Sequence, residues 1–317
     1  MHWLQDLGGG VHAVDTGFHR DLFDAAYLLV RRGRAAFIDT GTNFALPRLL
    51  GALDAVGLKR DAVDWVIPTH VHLDHAGGVG ALMRELPRAQ VLVHPRGQRH
   101  LIDPSALYQG ALAVYGAEEM ARSYGELLPV PAGRVQASAD GMTVDLGGSA
   151  LRLIDTPGHA KHHHCIWDDT TRGWFTGDTF GISYRDFDTE RGAWIMPTST
   201  PVQFEPDALR HSVQRLLSVQ PVCMYLTHYG RVSDVQRLAG QQFALLDEVV
   251  RLGQAERQAS DRHQRLKNGL LDLYLDSLAA HGCSFGADRV AQLLAVDLEL
   301  NAQGMAAWLD RDARARA

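Results

Sequence analysis

Three histidines and one aspartate fall within six residues, at His70, His72, Asp74 and His75. Neutral imidazole and carboxylate are ligands that Zn²⁺ and similar divalent ions accept. His70 and His72 lie two positions apart, so in extended backbone their side chains point the same way. Asp74 and His75 are adjacent and diverge, so they can serve a second centre. The spacing predicts that one short loop supplies ligands to two metal ions.

The elements on either side of this loop would hold it in place. Residues 63–68 are β-branched and apolar, which predicts a buried strand. Gly77 and Gly78 open a predicted helix over 79–86. Functional residues are commonly displayed on such loops between rigid elements.

The motif His70-Val71-His72-Leu73-Asp74-His75 resembles the His-x-His-x-Asp-His signature of the metallo-β-lactamase superfamily. The flanking Thr69 and Ala76-Gly77-Gly78 look most like its glyoxalase II branch. The acyl-homoserine lactonases share the same metal motif and often have a tyrosine near the metals, so the resemblance extends to that branch. Three later segments match the family in the expected order, each at the end of a strand-like run: Thr156-Pro157-Gly158-His159, Phe175-Thr176-Gly177-Asp178 and Thr227-His228. The resemblance covers residues 10–230.

The resemblance implies a complete set of ligands for two ions. Zinc is the expected metal, although Fe or Mn would fit the same residues, since affinity alone does not select the metal. The ligands fall into two groups and a bridge: metal 1 takes His70, His72 and His159, metal 2 takes Asp74, His75 and His228, and Asp178 bridges the two.

Such a mixed shell of imidazole and carboxylate leaves coordination positions for solvent. Two cations that share one water lower its pKa and hold a bridging hydroxide at neutral pH, so no serine or cysteine nucleophile is needed. Asp74 can orient that hydroxide or carry a proton to the leaving group. Tyr229 could donate a hydrogen bond to a developing oxyanion, and a core tyrosine explains it equally well. We therefore expect a metal-dependent hydrolase of a small ester-type substrate: a thioester, a lactone or a phosphodiester.

Other activities on the same fold stay open. One alternative is an iron-dependent oxidoreductase, similar either to the persulfide dioxygenases or to di-iron electron-transfer proteins. The persulfide dioxygenases keep the loop histidines but use a single Fe, and the di-iron proteins usually carry a flavodoxin-like domain as well. A binding protein on a degenerate site is disfavoured, because the full ligand set is present. Cleavage of β-lactams is not expected, because those enzymes replace part of this motif. Glyoxalase II binds glutathione partly through basic residues of a helical C-terminus; here Arg262, Arg265 and Lys267 are explained equally well as solvated helix charges.

Several residues are candidates for supporting the ligands. Asp39 ends a strand-like run, and by resemblance it would brace the metal loop from behind; capping a turn is the alternative. His162 lies three residues after His159, as in glyoxalase II, and His163 or His164 would pack nearby. Tyr184, in the loop after Asp178, is a second candidate beside Tyr229 for the hydrogen bond to the oxyanion.

The order of elements predicts the α/β (α+β) class, as a four-layer αββα metallo-β-lactamase sandwich of two mixed sheets with helices outside. Helical patterns over 97–128 are expected to break at Pro104, Gly110 and Gly116. Residues 1–233 would form the catalytic domain, and 234–317 a helical C-terminal extension. The apolar stripes of that extension must be buried on the sandwich or on another subunit, so a homodimer through these helices is one expectation.

The amino-acid composition limits the classes of binding partner that are expected. The 317 residues are 46% hydrophobic and 21% charged, an ordinary balance for a globular protein. The net charge of −6 gives no electrostatic sign of binding to nucleic acid or to an anionic membrane. The sequence shows neither a long apolar run nor a charged-then-apolar leader, so we expect no membrane span and no signal peptide. Cys165, Cys223 and Cys283 are far apart and odd in number, which suits a reducing cytoplasm. We expect a cytoplasmic enzyme whose partner is a small-molecule substrate.

Overall fold

The computed structural model describes residues 2–200 and 202–316. The chain forms two compact units. The first unit comprises Met1–Asp155, His162–Gly177 and Pro221–Ser233, and the second comprises Thr156–Lys161, Asp178–Gln220 and Asp234–Ala317. The predicted division into domains at residue 233 stays a prediction.

The first sheet of the first unit contains seven strands in sequence order. They are β1 (Leu4–Asp6), β2 (Val11–Asp15), β3 (Ala25–Arg31), β4 (Arg34–Ile38), β5 (Val63–Ile67), β6 (Gln90–Val93) and β7 (Val135–Ala137). Strands β1 to β4 pair antiparallel, and β4 to β7 pair parallel. Five helices alternate with these strands: α1 (Leu46–Ala55), α2 (Leu73–Ala76), α3 (Val79–Glu85), α4 (Pro95–Ile102) and α5 (Ser105–Glu119). Apolar residues of α1 and α3 form one core with this sheet.

The second sheet contains six strands, and only β11 and β12 pair parallel. The strands are β8 (Thr143–Leu146), β9 (Ser149–Asp155), β10 (His164–Asp168), β11 (Gly173–Gly177), β12 (Cys223–Leu226) and β13 (Gly230–Val232), in the order β13-β12-β11-β10-β9-β8. Tyr27 and Leu29 of the first sheet share a core with Ile166 and Phe175 of the second. The predicted sandwich of two mixed sheets is therefore confirmed.

The predicted breaks in the segment after β6 are partly wrong. Pro104 separates α4 from α5, and Gly116 interrupts α5 with a φ of +79°. Gly110, by contrast, lies inside the continuous first part of α5. A glycine costs an exposed helix only about 1 kcal/mol relative to alanine, so it does not by itself end one. A π-helical turn over Met120–Tyr124 follows α5.

The second unit is mainly helical. Its helices are α6 (Pro206–Leu217), α7 (Val235–Ala255), α8 (Arg262–His281), α9 (Ala287–Leu293) and α10 (Ala295–Arg316). The C-terminal helical extension is thus confirmed. Helix α8 buries Leu266, Leu270, Tyr274 and Leu278 along one face, so its apolar stripe is covered within a single chain. Among the described residues, no helix is both long enough and apolar enough to cross a membrane.

Candidate metal centre

The predicted metal loop lies between β5 and α3, as expected. His72 directly precedes α2, and Asp74 and His75 lie on that short helix. His70 Nε2 lies 2.8 Å from His72 Nδ1, so the first two histidines converge on one point. His70 and His75 are fully buried.

Asp74 and His75 meet a third predicted ligand, His228, which follows β12. Asp74 Oδ2 lies 3.7 Å from His75 Nε2 and 3.4 Å from His228 Nε2. One ligand atom from each of the three residues falls within 4.8 Å of the others. This spacing allows the three residues to bind one metal ion. The first unit therefore brings together five of the seven predicted ligands.

Asp39 supports this cluster from behind, as the resemblance implied. It follows β4 with a φ of +55°, a left-handed conformation that aspartate tolerates better than most residues. The Thr69 backbone N–H donates to its Oδ1 (2.6 Å), and the Thr227 hydroxyl donates to its Oδ2 (2.8 Å). His75 Nδ1 also lies 2.9 Å from Oδ2. One buried carboxylate therefore holds the start of the metal loop, a ligand on that loop and the residue before His228.

Hydrogen bonds also determine which ring nitrogen of His70, His75 and His228 is left to bind a metal. His228 Nδ1 donates to the Phe23 carbonyl (2.9 Å). Because the Thr69 hydroxyl donates to Asp39, it accepts from His70 Nδ1 at 3.1 Å. With Nδ1 used in this way, His70, His75 and His228 keep Nε2 as a lone-pair donor. These donor atoms, with the hydrogen bonds that orient them, fit a divalent metal.

The second unit contains the two remaining predicted ligands, and it places them together. His159 Nε2 lies 3.4 Å from Asp178 Oδ2, and both side chains are buried. His159 Nδ1 lies 3.4 Å from the Thr200 hydroxyl. Gly158 has a φ of +137°, and a Cβ there would lie 2.3 Å from the backbone of Leu209 on α6. Close packing of α6 therefore requires the glycine of the Thr-Pro-Gly-His motif.

The glycine of the Gly-Asp motif has an equally specific reason. Gly177 ends β11 with a φ of +47°. A Cβ at this position would lie 2.6 Å from both Thr69 Oγ1 and His163 Nε2. Any larger residue at position 177 would displace the backbone from which Asp178 follows.

The histidines after His159 have separate surroundings. The His162 ring stacks on that of His70 with centroids 6.0 Å apart, and burial lowers the pKa of His162 to about 3. The His163 ring stacks on His70 at 4.8 Å. His164 has different partners: its Nδ1 accepts from the Ser138 hydroxyl (2.9 Å), and its Nε2 donates to the Pro68 carbonyl (2.9 Å). His162 and His163 therefore pack against a ligand, whereas His164 anchors the residue that leads into the metal loop.

Burial of neutral His164 makes the fold sensitive to acid. Burial, aided by nearby His94, lowers the pKa of His164 from 6.5 to about 3. Between these two values the unfolded chain binds a proton that the native chain does not, so stability falls as the pH falls. At pH 5 this loss amounts to about 2 kcal/mol. A His164→Gln variant should therefore lose less unfolding free energy between pH 7 and pH 5, measured by urea titration. Exposed His211 gives the control, and a His164→Gln curve parallel to that of His211→Gln would contradict the prediction.

The two candidate tyrosines differ in what they contact. Tyr229 is 5% exposed and belongs to the core between the sheets. Its predicted role as a hydrogen-bond donor to the substrate stays a prediction. Tyr184 is fully buried in the second unit, where its hydroxyl donates to the Asp297 carboxylate (3.1 Å). That bond gives Tyr184 a structural role.

Sequence reasoning missed one residue, Asp24. Its side chain is fully buried, and its Oδ2 accepts from the Thr16 hydroxyl at 2.7 Å. Its Oδ1 has no hydrogen-bond partner among the described residues, and burial raises the pKa of Asp24 to about 7. Asp24 follows Phe23, whose carbonyl holds His228. The available signal in the sequence was an acidic residue directly before the apolar run of β3.

The family model for the metallo-β-lactamase superfamily matches residues 20–228. The metallo-β-lactamase fold-containing protein ST1585 of Sulfurisphaera tokodaii is 30% identical over 183 residues, which cover 55% of this chain and 63% of that relative. The crystal structure of ST1585 superposes with a TM-score of 0.65 at 23% identity, covering 93% of this chain and 98% of that one.

Two relatives carry names that describe an activity or a protein type. Hydroxyacylglutathione hydrolase of Acidiphilium cryptum is 30% identical over 204 residues, covering 63% of this chain and 62% of that protein. Type A flavoprotein fprA of Rhodobacter capsulatus is 27% identical over 189 residues, covering 59% of this chain and 38% of that protein. The matched region thus spans less than two thirds of ST1585, of the hydrolase and of the flavoprotein.

Proposed function

The chain belongs to the metallo-β-lactamase superfamily, and from that premise we propose that it is a dinuclear metal-dependent hydrolase of small ester-type substrates, with thioesters as the leading class. The observation that carries this proposal is the convergence of Asp74, His75 and His228, whose ligand atoms lie within 4.8 Å of one another. Hydrogen bonds from the outer nitrogens of His75 and His228 to Asp39 and Phe23 turn their Nε2 atoms toward that point.

His159 and Asp178 complete the proposed ligand set, with Asp178 as the bridge and zinc as the preferred metal. The contact between these two side chains and their place in the order of the family motifs support this assignment. When bound, the metal ions would lower the pKa of a water molecule and stabilise negative charge on the reacting oxygen of the substrate. A hydrolase of this kind needs no nucleophilic side chain.

Asp74 is the residue of this chain best suited to move a proton. Its side chain is 24% exposed, whereas those of His75 and His228 are almost completely buried. A carboxylate that binds a metal and also reaches solvent can accept a proton from the attacking water and deliver it to the leaving group. Tyr229 would donate a hydrogen bond to the substrate oxygen.

Among ester-type substrates, thioesters are favoured by the similarity to a hydroxyacylglutathione hydrolase. Glutathione itself is less favoured, because each basic residue of α8 that is a candidate for glutathione binding is paired with an acidic residue. Arg262 contacts Asp310 at 2.9 Å, Lys267 contacts Glu299 at 2.7 Å, and Arg265 contacts Glu256. Lactones and phosphodiesters stay within reach of the same centre.

The second candidate is an iron-dependent oxidoreductase, and the similarity to a type A flavoprotein favours it. Both activities would draw on the same histidines and carboxylates, and histidine suits zinc and iron alike. Metal identity, measured together with the turnover of esters, therefore separates the two.

The test is elemental analysis of protein purified without added metal, combined with a hydrolysis screen of thioesters, lactones and bis-aryl phosphodiesters. We expect about two metal ions per chain and turnover of at least one ester class. One or two Fe per chain with no turnover on any ester would overturn the proposal in favour of the oxidoreductase.

A further inference from the structure

An open cavity of about 460 Å³ lies in the first unit. This is within the range of about 300–1,000 Å³ that is typical of small-molecule pockets. It is lined by Thr16, Gly17, Phe18, His19, Thr42, Phe44, Arg122 and Ser123. We call it the Phe44 pocket.

The Phe44 pocket borders the ligand cluster through one aromatic residue. The Phe23 ring lies 5.2 Å from the ring of His19, which lines the pocket, and 5.5 Å from the ring of the proposed ligand His228. A substrate held at His228 could therefore extend past Phe23 into this cavity.

The Arg122 guanidinium and two of the hydroxyl groups that line the pocket are paired with other protein groups. The Thr16 hydroxyl donates to Asp24 at 2.7 Å. Ser123 and Arg122 both donate to Glu119, which also balances the charge of the guanidinium. An anionic group in the pocket would therefore compete with Glu119 for Arg122. The pocket suits an uncharged ligand better than a carboxylate or a phosphate.

The apolar walls of the pocket are aromatic. Phe18 is buried, with its ring 5.4 Å from that of Tyr124. Phe44 lies on a short helical turn, Asn43–Ala45, and is 57% exposed. An aromatic ring left this open beside a cavity gains free energy when a ligand covers it.

We propose that the Phe44 pocket binds an uncharged apolar acyl or aryl group of the substrate, and that Phe44 sets the preference for its length. The inference rests on the proposed function and deepens it: the substrate is an ester or thioester of a hydrophobic acid. Phe44 acts here as a specificity-determining residue, not a catalytic one.

Kinetics with a series of acyl groups test the proposal. The substrates are the acetyl, hexanoyl and phenylacetyl thioesters of N-acetylcysteamine, assayed with the metal-loaded wild type and with the Phe44→Ala and Phe44→Leu variants. In Phe44→Ala we expect KM to rise about ten-fold for the hexanoyl and phenylacetyl thioesters. The acetyl thioester should change less than about two-fold, kcat should be retained, and Phe44→Leu should recover most of the loss. Val222→Ala is the matched control, since Val222 is 50% exposed in the same unit but does not line the pocket.

A binding measurement separates this inference from the proposed function. Hexanamide is uncharged and is not an ester, so its binding can be followed by saturation-transfer NMR without turnover. Hexanamide should bind to the wild type and to Val222→Ala, and binding should be lost in Phe44→Ala. Binding of this kind without turnover of any ester would remove the proposed function and retain the pocket. Equal effects of Phe44→Ala on all three thioesters, or unchanged hexanamide binding, would overturn the pocket.

Discussion

Asp39→Asn is expected to weaken metal binding by about 10- to 100-fold, although Asp39 is not itself a proposed ligand. The wild-type carboxylate accepts hydrogen bonds from the Thr69 N–H, the Thr227 hydroxyl and His75 Nδ1. An asparagine of the same shape turns one acceptor oxygen into an N–H₂ donor that faces these donors. His75 then loses the partner that fixes its tautomer and orientation. Competition with a chromophoric chelator measures the affinity directly.

Asp155→Asn is the matched control for this experiment. Asp155 also pairs with a histidine, with its Oδ1 3.1 Å from His94 Nε2, but neither residue is a proposed metal ligand. We expect the control to bind metal as the wild type does. Equal affinities for all three proteins would show that Asp39 does not orient the ligands.

Asp39 also shows what the sequence could and could not predict about the site. Its position after a strand and its match to the family motif identified it as a support for the metal loop. Its bond to Thr227 joins residues 188 positions apart, and no local pattern encodes such a distance. Local signals identified which residue types end each strand, whereas the pairing of those strand ends depends on the tertiary fold.

The same distinction explains the errors. Gly110 and Gly116 look alike in the sequence, yet only Gly116 adopts a positive φ and interrupts α5. Asp24 was missed because it precedes its strand, whereas the predicted ligands and Asp39 follow theirs. Its partner Thr16 belongs to the preceding strand connection, so only the pairing of β2 with β3 brings the two together.

Asp178→Ala should abolish hydrolysis, with an expected loss in kcat of about 10³-fold or more. Under the proposed function, Asp178 would be the carboxylate that both ions share, so its removal would weaken the binding of each ion. The side chain is 6% exposed, and its Oδ2 lies 3.4 Å from His159 Nε2. Truncation therefore also takes a buried neighbour from His159.

The decisive comparison is between Asp178→Ala and Asp207→Ala, in the same unit. Asp207 is an exposed residue in the first turn of α6, so its loss should leave turnover, metal content and thermal unfolding close to wild type. We expect Asp178→Ala to fall from about two metal ions per chain to about one or fewer, measured by elemental analysis on the samples used for kinetics. If Asp178→Ala kept both its metal and its turnover, a bridging role would be ruled out. If it kept its metal but lost turnover, Asp178 would act on the substrate and not as a ligand.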